Sequence, residues 1–200
     1  MQKIKVGYLP LYIKLYDDVN SDKTYLIKHM DTLIKMLESQ GLEVIRADIC
    51  RIKEEVDAAA RLFNSAGVDA VITQHLAYSP SLESLDALLS LEVPIIVLDT
   101  TPDYALVRTA GYYNGIDSNH GIHGVQDMCN LLKRNGKPYY ICAGHALHSQ
   151  VISELAGMCR AAAARKAYQT MKIGSVGGSF TGMGDFLISD ERYKADIGAE

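Results

Sequence analysis

Apolar positions along the 200-residue chain follow two alternating periods. Five short β-rich runs stand out: "KIKVGYL" (3–9), "LEVIRAD" (42–48), "DAVIT" (69–73), "VPIIVLD" (93–99) and "PYYICAG" (138–144). After each run, apolar residues recur every three or four positions, the spacing that lines one face of a helix. Leu26, Met30, Leu33, Ile34 and Leu37 predict a helix that stops at Gly41; Ile52, Val56, Ala59, Ala60 and Phe63 predict one that stops at Gly67. Further faces are marked by Leu82, Leu85, Leu88 and Leu89, by Ile122, Val125, Met128, Cys129 and Leu132, and by Val151, Leu155, Met158, Cys159 and Ala162. The nearly continuous apolar run "VPIIVLD" suits a strand covered on both faces. Repeated β–α units with short connections imply a three-layer α/β/α doubly wound parallel sheet, Rossmann-like or flavodoxin-like, of five to six strands.

The sixth strand is the run "MKIGSVGG" (171–178), read as an edge strand or the start of something further. This divides the chain into a Rossmann-like domain over 1–170 and, over 171–200, an edge strand with the start of a following domain. "DERYKADIGAE" (190–200) repeats the helix-then-glycine entry seen at "ESQGLEV" (38–44) with no strand after it, so the chain is expected to be the N-terminal part of a longer polypeptide.

A formal net charge of −4 with 22 % charged residues argues against a nucleic-acid partner, which requires clustered Lys and Arg. The one basic cluster, "KRNGK" (133–137), falls where a helix ends and complements its dipole. Lys5, Pro10 and Lys14 interrupt the apolar N-terminal run, and no stretch approaches the roughly 20 residues of a membrane helix. Cys50, Cys129, Cys142 and Cys159 form no CxxC pair and read as reduced core thiols of a cytoplasmic protein.

In open parallel sheets ligands bind beyond the carboxyl ends of the strands. That edge collects Tyr8, Leu11 and Tyr12 after the first strand; Thr73, Gln74, His75 and Tyr78 after the third; Asp99, Thr100 and Asp103 after the fourth; and His145 and His148 after the fifth. Five of the six histidines lie there, with His29 placed elsewhere in a helix. The pairs His120–His123 and His145–His148 have helical spacing for a metal, with Asp99, Asp103 or Asp117 as a possible carboxylate, yet no HExxH or finger spacing supports one. "YLPLY" is too bulky for a flavin phosphate loop, and "GSVGGSFTGMGD" (174–185) lacks the GxGxxG spacing. In "DSNHGIHGVQDMCNLL" (117–132), Ser118 or Asn119 can cap the helix while its histidines line a pocket; a helix start facing the crevice serves both purposes. The long connection 100–118 carries Tyr104, Tyr112 and Tyr113, residue types common at interfaces.

Four segments together resemble the N-terminal region of the L-fucose isomerase and L-arabinose isomerase superfamily. They are "GYLPLY" (7–12), "VDAVITQHLAYSPS" (68–81) leading to "PIIVLDTTPDY" (94–104), "NHGIHGVQDMCNLL" (119–132) and "KIGSVGGSFTGMGDF" (172–186). The resemblance implies an aldose–ketose isomerase forming a homo-oligomer, trimer or hexamer, in which this domain closes a neighbour's sugar pocket. It also implies Mn²⁺ as cofactor, with the cation's ligands and the acid/base carboxylates outside this chain, so that no metal-binding or catalytic residue is expected within it. The expected substrate-binding residues are Leu11, Tyr12, His75, Asp103, His120 and His123; "NHGIHG" departs from the arabinose-type "AHGG" and leaves the sugar open. The competing expectation is a freestanding flavodoxin-like binding or regulatory module that takes a sugar or other small molecule without turnover.

Overall fold

In a computed structural model of the chain, residues 3–19, 23–105, 108–109, 112–113, 115–174, 176–177, 180–184 and 188–198 are described. The five apolar runs form β1 (Ile4–Leu11), β2 (Leu42–Arg46), β3 (Ala70–His75), β4 (Ile95–Asp99) and, after two minor strands, β7 (Tyr139–Ala143). All pair in parallel, in the order β2-β1-β3-β4-β7. The minor strands β5 (Arg108–Thr109) and β6 (Tyr112–Tyr113) form an antiparallel ladder within the long connection after β4. The side chains of Tyr112 and Tyr113, expected at an interface, lie outside the described residues.

Helices cover both faces of the sheet. The first face carries α2 (Thr24–Ser39) and α7 (Val151–Gln169), which pack on Val6, Tyr8, Ile72, Ile96, Leu98 and Cys142. The second carries α3 (Lys53–Ala66), α4 (Ser81–Ser90) and α6 (Gly121–Arg134), over Leu9, Leu11, Val71, Ile95 and Val97. Strand alternation makes this division possible, since successive side chains of β1 leave on opposite faces. The short α1 (Tyr16–Val19) and α5 (Ile116–Asn119) sit in the loops at the carboxyl edge, and α8 (Asp190–Ile197), with no buried residue, follows α7.

Two expectations need correction. Leu82 does not belong to the buried face of α4: it is 71 % exposed, while Ser81, Ser84 and Ala87 face inward beside Leu88, and Leu85 and Leu89 are half-buried against the same core. Small residues are favoured there because α4 is packed between α3 and α6. Nor do residues 171–174 form a sixth strand; they and 176–177 are in no strand, while 175 and 178 lie outside the described residues. The hand of the connections disfavours a strand added beyond β7. From β1 to β2 the chain crosses over the α2 face in one direction along the sheet; from β2 to β3, β3 to β4 and β4 to β7 it crosses over the other face in the opposite direction. α7 lies on the α2 face, so a right-handed crossover from β7 leads back over occupied strand positions rather than outward beyond β7.

The four cysteines are buried and unpaired, as expected, and burial raises the thiols of Cys50 and Cys159 to about 12 and that of Cys129 to about 11. The basic cluster at 133–137 divides its work. Lys133 and Arg134 fall in the last turn of α6, whereas Lys137 reaches over to the end of α4 and donates from Nζ to the carbonyls of Leu91 and, at 3.3 Å, Leu89. Those carbonyls lack helical partners, and burial already pulls the Lys137 ammonium below its usual range. Lys137→Met, which keeps the stem and removes the donors, is expected to cost about 1 kcal/mol in urea-induced unfolding; an unchanged midpoint would mean that water serves those carbonyls equally well.

Candidate functional site

The topological switch lies between β1 and β3: the chain leaves β1 toward the α2 face and leaves β3 toward the α4 face. Diverging loops create a crevice at such a point, and open α/β sheets bind ligands there. Tyr12, at the end of β1, is held by its own N–H, which donates to the Cys50 carbonyl at 2.9 Å. Its ring meets that of Tyr16 edge-on at 6.0 Å, and the Lys23 ammonium sits 5.5 Å from its centroid. Across the crevice, Tyr16 Oη lies 3.1 Å from His120 Nε2, and the His120 and His123 rings are 5.9 Å apart. Tyr12, Tyr16, His120 and His123 therefore form one arc, closed by a phenol–imidazole hydrogen bond between the two sides. Burial is the largest cause raising the phenols of Tyr12 and Tyr16, so both stay protonated at neutral pH.

The segment "NHGIHG" is placed by its glycines. Gly121 and Gly124 lie buried against β3: a Cβ on Gly121 would stand 2.5 Å from the His75 carbonyl oxygen, and one on Gly124 would stand 2.4 Å from His75 Cδ2. Only hydrogen at both positions lets α6 settle this close to the sheet. With the glycines underneath, His120 is left at the crevice mouth and His123 exposed. Neither expected cap operates: Ser118 Oγ donates to the Gly115 carbonyl at 3.2 Å, and Asn119 is committed to Asp103. Residue His120 occupies the cap position of α6 without a side-chain capping bond.

Asp103 joins this arc to a second group of rings. Its N–H donates to Asn119 Oδ1 at 3.0 Å, Asn119 Nδ2 donates back to Oδ2 at 2.8 Å, and Tyr25 Oη donates to Oδ1 at 2.5 Å. Gly115, with a positive φ of 84°, turns the backbone so that its carbonyl also accepts from Asn119 Nδ2 at 2.7 Å. Beyond Asp103, Tyr104 packs on His148 with centroids 4.3 Å apart, and His148 on His145 at 4.8 Å. His145 Nδ1 accepts from the Leu147 N–H at 3.2 Å.

Of the six expected ligand-facing residues, Asp103, His120 and His123 stand half-buried or exposed at the carboxyl edge, whereas Tyr12, 3 % exposed, belongs to the core on the α2 side with its ring edge-on to Tyr16. Leu11 belongs to the core on the α6 side of the sheet, and His75, 4 % exposed, lies beneath the crevice under Gly121 and Gly124. Three partners went unrecognised. Tyr16 is one helical turn beyond Tyr12; Tyr25 and His29 occupy the first two turns of α2. A helix that follows a parallel strand begins at the carboxyl edge, which was the available signal. His29 thus stands at the rim after all, where burial first and His145 second pull its imidazole down to about 4, against an opposing pull from Asp103.

Among the described residues, no group of three or more His, Cys, Asp or Glu side chains is arranged to hold a metal ion. Mn²⁺ prefers carboxylate and water oxygens, and the rim offers mainly imidazoles and phenols, with Asp103 already bonded to Tyr25 and Asn119. The described side chains therefore do not fit that ion. Fold and rim together define a doubly wound α/β domain with an imidazole–tyrosine crevice at its switch point. No protein-family model matches the chain, and no curated protein does either.

Proposed function

We propose that this chain is the N-terminal, crevice-bearing region of a metal-dependent aldose–ketose isomerase, a cytoplasmic homo-oligomer in which it walls the sugar pocket. The observation that carries this reading is the Tyr12–Tyr16–His120–His123 arc across the switch point. Shifting a hydrogen between C1 and C2 of an open-chain sugar uses a divalent cation to polarise the oxygens and a carboxylate to move the proton. In this proposal both come from protein outside this chain. The arc does the remaining work: Tyr16, His120 and His123 hydrogen-bond sugar hydroxyls, and the rings of the arc, backed by the buried Tyr12, exclude water from the reacting carbons. Buried, unpaired thiols support a reducing compartment, and no described helix is long and apolar enough to cross a membrane.

Five- and six-carbon alditols imitate the open-chain sugar and cannot cyclise. Titrated into the chain, they are expected to move the ring signals of His120 and His123 in histidine-selective NMR. His123→Ala should weaken that binding about tenfold, the loss of one good hydrogen bond, and leave the unfolding midpoint unchanged because His123 is exposed. Ring signals that stay still at high alditol concentration would overturn the reading. Binding without turnover, in the assembled protein supplied with Mn²⁺, would identify a sugar-binding module instead.

A further inference from the structure

We infer that His75 is a protonation-sensitive prop beneath the crevice wall: when its imidazole is charged, the first turn of α6 lifts and carries His120 and His123 out of the arc. As regulation of the proposed ligand site this rests on the reading above, although the movement itself does not. The geometry is specific to this one histidine. Its side chain is almost fully covered, neither ring nitrogen has a hydrogen-bond partner, and the cover is the Gly121–Gly124 face of α6. A charged imidazole would have no acceptor there, and it would lie against a helix start that has no side-chain cap and whose dipole end is positive.

The ionisable groups facing His75 are few. From α6 comes Asp127, whose Oδ2 accepts from the Ser81 N–H at 3.3 Å and from Tyr78 Oη at 3.4 Å; its charge favours the imidazolium. From β4 comes Asp99, one step beyond the last paired residues Gln74 and Leu98, with its carboxyl raised by burial. The segment before α4 contributes Tyr78, and β1 presents only Leu11. Against these, burial dominates and pulls the covered imidazole down to about 4. Once uncovered, the ring takes up a proton near its ordinary value of about 6.5. The lifted form therefore binds more protons throughout that interval, so lifting is favoured as pH falls from 6.5 toward 4 and levels off below.

The test is hydrogen exchange of the amides at 122–126, corrected for the chemical pH dependence of exchange and compared with the amides at 130–134 in the same helix. Between pH 7.5 and pH 5, protection at 122–126 is expected to fall about thirtyfold, following the linkage above, while 130–134 lose much less. His75→Gln should abolish the difference between pH values, and His29→Gln, which changes the other strongly shifted histidine, should preserve it. Equal loss in both segments of the wild-type chain would show general acid unfolding and overturn the inference, as would loss that persists in a folded His75→Gln protein. No sugar is present, so failure of the ligand reading leaves this result intact. An alditol site that works at both pH values without any lifting would refute the prop alone.

Discussion

Gly121→Ala is expected to destabilise the chain by about 3 kcal/mol and to dismantle the arc. The new methyl would stand 2.5 Å from the carbonyl oxygen of His75, and backbone at the end of the central strand cannot give way as a flexible side chain would. α6 must retreat as a body, taking His120 away from Tyr16 and weakening the contact between Asp127 and the start of α4. Alanine's better helix propensity offsets only a fraction of this at a first-turn position. The same change at Gly157, in the middle of α7, has the opposite sign: nothing lies within 4 Å of its Cβ, so Gly157→Ala should stabilise by about 0.5–1 kcal/mol. Urea unfolding of the two variants side by side is the measurement. A Gly121→Ala protein as stable as wild type would show that α6 does not need its close seat on β3.

Phe63→Ala is expected to cost about 4 kcal/mol, near the middle of the range for a fully buried phenylalanine. Phe63, in α3, lies flat over Gly7 of β1, with ring atoms 2.7 Å from where a Cβ on Gly7 would be. Strand and helix were therefore built around one large and one absent side chain. Removing the ring leaves a cavity whose floor has nothing to fill it, which keeps the cost from relaxing. The coupling has a distinctive sign. Gly7→Ala alone should destabilise by about 2 kcal/mol through overpacking, yet in the Phe63→Ala background the same methyl enters the cavity and should restore part of the loss. Additive losses in the double variant would contradict a direct Phe63–Gly7 contact.

The layers of the fold were legible because each depends on a period. Leu26, Met30, Leu33 and Leu37 recur at helical spacing and are all buried, and the apolar runs at 70–75 and 95–99 are central strands covered on both sides. Where pattern reading failed, close packing had overridden hydrophobicity. In α4 and at the start of α6, serine, alanine and glycine take inward positions beside Leu88 and Val125, while Leu82 and Ile122 face outward. A narrow gap between elements selects small residues, and no scale of hydrophobicity registers that.

The rim shows the same division. Which loops meet at the crevice follows from parallel strand order, so residues after β1, β3, β4 and β7 could be gathered from sequence alone. Which side chains reach it could not. His75 and His120 are both histidines at the carboxyl edge, yet one is sealed beneath two glycines and the other bonds Tyr16 across the opening. By itself, the sequence determined a doubly wound parallel sheet of at least five strands, most of its buried faces and the end at which polar groups collect, because those depend on residue periodicity and chain connectivity. Only the tertiary structure decided how closely α6 approaches β3, that α2 returns Tyr25 and His29 to the rim, and which imidazoles are left exposed, because these depend on distances between elements far apart in the chain.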